Sequence, residues 1–124
     1  MNIPNGHQVV MPYLLVSDSR GFIAFTQKVF GAENTFLRLR EDNTSVMHAE
    51  IQINGATIMC ADVTDKYHEA TANLFIYVPD ADEAFKKAKE AGAKVVEELA
   101  ERDYGRSGGV QDPFNNVWWI TSLK

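Results

Sequence analysis

The apolar and polar positions of the chain follow one pattern twice. Gln8 to Val16 is an apolar run with β-branched and aromatic members, which predicts a strand. Ser17-Asp18-Ser19 then offers side chains that cap a helix, and Phe22, Phe25, Thr26, Val29 and Phe30 recur at helical spacing. Gly31 ends that helix. Glu33 to Arg40 predicts a strand with Leu37 and Leu39 opposite Arg38 and Arg40, and Glu41-Asp42-Asn43 a turn. Ser45 to Ile53 alternates, with Met47, Ala49, Ile51 and Ile53 opposite His48, Glu50 and Gln52. Asn54-Gly55 predicts a tight hairpin into a strand over Ala56 to Ala61.

After a polar stretch the pattern starts again. Asn73 to Val78 predicts a strand, Asp80 caps a helix carrying Ala84, Phe85 and Ala88, and Gly92 stops it. Lys94 to Glu98 predicts a strand. Asp103 to Gln111 is glycine-rich and could hold a weak strand, Asp112-Pro113-Phe114-Asn115-Asn116 is turn chemistry, and Val117 to Ser122 is an aromatic strand. The two halves share landmarks in near-constant register: Val16-Ser17-Asp18 with Val78-Pro79-Asp80, Gly31-Ala32 with Gly92-Ala93, and Asn54-Gly55 with Asn115-Asn116. The expected organisation is one domain over 1–124, with one module at about 9–63, a linker at about 64–71 and a second module at about 72–122. Each half is too small for a core of its own, so the halves should pack together.

Each predicted module has one helix, which can cover only one face of its sheet. A solvent-exposed opposite face should be polar in alternation, and here it is not. Leu14, Val16, Leu74, Ile76 and Val78 suit the helix side. The other face carries Met11, Tyr13, His48 and Glu50 in the first half, and Asn73, Phe75, Tyr77 and Trp119 in the second. Aromatic walls with a few polar tips are the usual make-up of a small-molecule pocket. The same face would serve as a subunit contact, and the two roles are compatible.

Composition narrows the partners. A hydrophobic content of 45 % argues against disorder. A net charge of −5 without a basic stripe argues against nucleic acid, and no apolar run is long enough for a membrane span. The polar start, Met1 to Gln8, lacks a signal pattern, so a cytoplasmic protein is expected. The single cysteine, Cys60, lies in an apolar run and reads as a small buried side chain. His7, in the tail, reads as solvated. Gly105-Arg106-Ser107-Gly108-Gly109 is followed by a turn and a strand, so it is no phosphate loop. Its glycines allow a twisted strand, and Arg106 could reach a cavity mouth and bind a carboxylate.

His48-Ala49-Glu50-Ile51 leading into Gly55 and Ile58-Met59, then Asn73-Leu74-Phe75-Ile76-Tyr77-Val78, and above all Tyr104 to Phe114 followed by Trp118-Trp119-Ile120 carry a resemblance. With Phe25 to Ala32 they resemble the glyoxalase/bleomycin-resistance/extradiol dioxygenase (vicinal oxygen chelate) superfamily, from about Met11 to Thr121. The resemblance implies an α+β fold of paired β-α-β-β-β modules, a curved half-barrel mixed sheet around a cavity, and a homodimer. Metal-dependent members carry His, Glu or Gln on the first and last strand of each module. Carried over by position, those sites fall on Met11 and Asn73, and on Met59 (or Ala61) and Trp119. Hard and borderline cations want carboxylate, imidazole or carbonyl donors, and only Asn73 offers one.

The expected function is therefore metal-free binding of a small molecule in an aromatic-lined cavity, with Met11, Tyr13, His48, Glu50, Met59, Asn73, Phe75, Tyr77, Arg106 and Trp119 around the ligand. Sequestration of an aromatic or antibiotic-like compound fits that set, and no cofactor is expected. The alternative is a divalent-metal-dependent lyase, isomerase or dioxygenase with a site rebuilt at His48 and Glu50, which share one strand face. Glu50 is the candidate general base, provided its surroundings are dry.

Overall fold

The computed structural model describes residues 1–123. In chain order its elements are β1 (Tyr13–Val16), α1 (Ser19–Phe30), β2 (Glu33–Leu39), β3 (Val46–Ile53) and β4 (Ala56–Asp62), then β5 (Asn73–Tyr77), α2 (Ala81–Glu90), β6 (Lys94–Arg102), β7 (Gly105–Gln111) and β8 (Val117–Ser122). This is the predicted β-α-β-β-β pattern, twice. Local chemistry sets most boundaries. Asp18 caps α1 by accepting the Gly21 amide at 3.0 Å, and Gly31 closes the helix at φ 69°. Asp80 caps α2 through the Glu83 amide at 3.1 Å. Asn54 (φ 47°) and Gly55 (φ 86°) make the hairpin turn that only such residues adopt cheaply.

The two modules build separate four-stranded sheets, ordered β1-β4-β3-β2 and β5-β8-β7-β6, and neither closes on itself. In each, the first strand lies parallel to the last and the other pairings are antiparallel. The α+β fold of paired modules and unclosed mixed sheets is the architecture expected from the sequence. The aliphatic side of both sheets and both helices share one core. At its centre Trp118 of β8 stands within ring-contact distance of Phe22 (6.4 Å) and Phe30 (4.7 Å) of α1, so the modules interlock through side chains of opposite halves. Cys60 is buried in this core, and burial pushes its thiol up to about 11, which fits a packing role. No helix among the described residues is long and apolar enough to cross a membrane.

Three segments differ from the pattern reading. The first strand begins at Tyr13 rather than Gln8, because the tail binds through side chains instead of a ladder. The Gln8 amide donates to the Thr57 carbonyl (2.8 Å) and accepts from the Thr57 N–H (3.2 Å). The linker is not free: Ala70 exchanges both backbone hydrogen bonds with Leu15 (2.9 and 3.0 Å) and covers the outer edge of β1. β6 runs on to Arg102 and β7 is a full strand, joined with two register shifts. Glycine makes this close pairing feasible: a Cβ on Gly108 would lie 2.9 Å from both the Leu99 nitrogen and the Phe85 ring.

Candidate functional site

Strand register decides which side chains meet on the sheet faces that the helices leave open. In the first module Tyr13 pairs with Met59, Met59 with Glu50, and Glu50 with Phe36, one row across four strands. His48 lies on the same face two residues from Glu50, beside Arg38 of β2. The rings of Tyr13 and Phe36 approach His48 at 5.4 and 5.7 Å. In the second module Phe75 pairs with Trp119 and Trp119 with Gly109. Tyr77 and Tyr104 flank Phe75 at 5.2 and 6.2 Å. These rings are far more open than core aromatics: Tyr13 is 49 % exposed, Phe75 52 %, Tyr104 53 % and Tyr77 63 %. Such faces mark binding surfaces.

Polar groups anchor each face. The Trp119 indole N–H donates to the Asn73 side-chain oxygen Oδ1 at 3.1 Å. Gly109 is the bed on which that indole lies, since a Cβ there would sit 2.5 Å from ring carbon Cζ3. Gly109→Ala should therefore lift Trp119 off the sheet. We expect it to weaken stacking ligands by about tenfold, the worth of one aromatic contact, at an overpacking cost of about 1–3 kcal/mol. Isothermal titration with an aromatic ligand measures the first and urea unfolding the second.

On the first face Glu50 accepts two hydrogen bonds, from His48 Nε2 at 2.9 Å and from His7 Nε2 at 2.7 Å. Burial raises the Glu50 carboxyl, and the two imidazole hydrogen bonds outweigh it and hold the group below its ordinary value. His48 Nδ1 stands 3.4 Å from the Tyr13 hydroxyl. His7 was expected to be solvated. The tail carries it to Glu50 because the Gly6 carbonyl accepts from Thr57 Oγ1 and from Gln52 Nε2. No spacing rule could have announced a partner 43 residues away. Phe36 also escaped the sequence reading, although it shares the alternation of Arg38 and so could have been found.

The other predicted site residues fall as follows. Met59, Asn73, Phe75, Tyr77 and Trp119 lie on the open faces. Met11 precedes β1 and is taken up locally, its sulfur accepting the Gln8 backbone N–H at 3.4 Å. Arg106 does not join either face. It shares the alternation of Gly108 and Val110 on the helix side of β7, where Asp82 of α2 holds it through two bonds (2.8 and 2.9 Å) and Glu101 lies 3.6 Å away. An arginine so engaged has no fork left for a ligand carboxylate. Two cavities of about 370 and 400 Å³ open at the seam between the modules, where Ile53 and Asn54 approach Ile76 and Tyr77.

A divalent ion does not suit these residues. The positions to which the resemblance assigns metal ligands offer Met11, Met59 (or Ala61), Asn73 and Trp119, and the Asn73 side-chain oxygen already accepts an indole N–H. His7 and His48 both turn an N–H toward Glu50, on its two separate oxygens. No group of three His, Cys, Asp or Glu side chains suited to a metal occurs among the described residues.

A model of the Glyoxalase/Bleomycin resistance protein/Dioxygenase superfamily matches residues 7–120. The chain belongs to that superfamily. An uncharacterized protein of Mycobacterium bovis is 30 % identical over 126 aligned positions, which cover 92 % of this chain and 82 % of that one. Two solved structures share the fold at low identity. TioX from Micromonospora sp. ML1 has a TM-score of 0.75 and 21 % identity, covering 94 % of this chain and 99 % of its own. TnmS3 from Streptomyces sp. CB03234, described as an antibiotic binding protein, has a TM-score of 0.74 and 17 % identity, covering 100 % and 99 %. Superfamily membership accounts for the module repeat. It leaves the chemistry to the residues on the faces, and those are aromatic.

Proposed function

We propose that this chain is a small-molecule-binding member of the superfamily, that it works without a divalent ion, and that it sequesters a planar aromatic or antibiotic-like compound against its open sheet faces. The observation that carries the proposal is the pair of half-exposed aromatic faces, Tyr13 and Phe36 around His48 in one module and Phe75, Tyr77, Tyr104 and Trp119 in the other. The antibiotic-binding description of TnmS3, on the same fold, agrees with this reading.

The ring contacts fall into two separate groups, one per module, and none among the described residues joins the two faces. Among the described residues, the outer edge of β5 also has no bridge like the one Ala70 makes to β1. A second copy of the chain, apposing its own faces, would close the cavity around the ligand. The proposed active species is a homodimer with the cavity between its chains.

A thermal-shift screen of planar aromatic compounds and antibiotics tests the reading, paired with elemental analysis of protein purified without chelator. A ligand at about 100-fold excess over its Kd should add about 2.7 kcal/mol of stability, and divalent metal should stay well below one ion per chain. One tight ion per chain, lost in His48→Ala, would replace this reading with a metal-dependent lyase, isomerase or dioxygenase.

A further inference from the structure

The hydrogen bonds on the first face fix a direction for protons. Glu50 is held ionised, so both its oxygens only accept, and each imidazole facing it must donate from Nε2. Neutral His48 therefore carries its proton on Nε2 and leaves Nδ1 with a bare lone pair. That lone pair lies toward the open side of the sheet, where its one hydrogen-bond partner among the described residues is the Tyr13 hydroxyl at 3.4 Å, a long bond that an incoming group can displace. A carboxylate behind an imidazole orients the ring and stabilises the imidazolium that forms when Nδ1 takes a proton. Here the carboxylate is itself supported by His7 on its other oxygen.

The surroundings suit a negative charge in front of His48. Its cross-strand neighbour on β2 is Arg38, which makes no ion pair among the described residues. From β4 the facing side chains are Met59 and Ala61, which carry no charge, and β1 contributes Tyr13. Glu50 and His7 complete the titratable set. The nearby Arg40 is turned away, bonded to the Asp62 carbonyl at 2.9 Å.

Building on the aromatic-cavity reading, we propose that the ligand bears an acidic hydroxyl, phenolic or enolic, and that it binds as its anion after giving that proton to His48 Nδ1. The ligand O–H bond breaks and an Nδ1–H bond forms, so His48 becomes an imidazolium with Nε2 still donating to Glu50. The oxyanion then accepts from Nδ1–H and from the Tyr13 hydroxyl, which is released from its long bond. Arg38, the cross-strand neighbour of His48, supplies a fixed positive charge on the same face. No other reactant is needed.

The probe is 7-hydroxycoumarin, whose neutral and anionic forms absorb at different wavelengths, with 7-methoxycoumarin as the ether that has no proton to give. At a pH about one unit below the free phenol's pKa, the wild-type protein should raise the anion band and bind the phenol at least about tenfold tighter than the ether. His48→Gln should bind both alike, with no anion band. Glu50→Gln should keep binding and move anion formation to higher pH, a shift that a merely structural Glu50 would not produce. Equal binding of phenol and ether by the wild type, with no anion band, overturns the proton transfer while leaving the aromatic cavity standing. An anion band that persists in His48→Gln overturns the choice of base. If neither coumarin binds, the aromatic cavity itself is refuted, and the proton transfer with it.

Discussion

Asp112→Ala should lower folding stability by about 3–5 kcal/mol, a large share of the ~5–15 kcal/mol available to a domain of this size. Asp112 is buried, and its carboxylate accepts four hydrogen bonds: from the amides of Phe114 (2.8 Å) and Asn116 (3.0 Å), from the Asn116 side chain (3.3 Å) and from the Trp118 indole (2.8 Å). No cation pairs with it among the described residues, so these donors alone compensate its desolvation. Alanine would strand four donors where water cannot reach most of them, and each buried orphan costs about 1–3 kcal/mol before relaxation. The effect extends beyond the turn. The Asn116 side chain passes from Asp112 to the Ala72 amide at 3.1 Å, and Ala72 in turn accepts from Val117 at 2.9 Å, so the same network sets where β5 starts beside β8. Asp112→Asn keeps the shape but swaps one acceptor for a donor, and should cost about half as much. Urea unfolding decides: a midpoint shift worth less than about 1 kcal/mol for Asp112→Ala would mean that the carboxylate is not what holds the turn.

That turn shows how legible the sequence was. Its residue types announced a turn, and its Asp, Pro and Asn were visible, but nothing in one dimension said that the carboxylate would reach an indole six positions on. The repeat was legible because it is periodic: caps at Asp18 and Asp80, glycines at 31 and 92, and the alternation from His48 to Ile53 are local signals. The open faces were also legible, since alternation placed Tyr13, Phe75, Tyr77 and Trp119 opposite the aliphatic set. What stayed hidden was tertiary. His7 meets Glu50 only because the tail folds over Gln52 and Thr57, and Arg106 is held off the open faces because α2 sets Asp82 over it. The glycines of β7 suggest a twisted strand. Their function is clearance, one for Phe85 and one for Trp119, which requires knowing what lies across the strand.

Trp118→Ala carries the other large expected effect, again about 3–5 kcal/mol. The indole is 1 % exposed, and it is the contact at which α1 of one module meets the sheet of the other. Losing it opens a void between Phe22 and Phe30 that neither helix can fill without moving its own sheet, and voids of that kind relax only in part. Trp118→Phe separates the two contributions of the side chain. It keeps most of the apolar volume but leaves the Asp112 oxygen without its indole donor, so it should cost about 1–2 kcal/mol. Because Asp112 and Trp118 share that hydrogen bond, the double alanine variant should fall short of the two single effects added together by about 1–2 kcal/mol. Strict additivity would mean that the bond contributes nothing, and that the buried carboxylate is compensated by its own turn alone. The coupling matters for the proposed function as well. Trp118 lies on the core side of β8 directly before Trp119 on the open face, so any shift of the strand that follows a lost core contact also moves the aromatic floor of the second face.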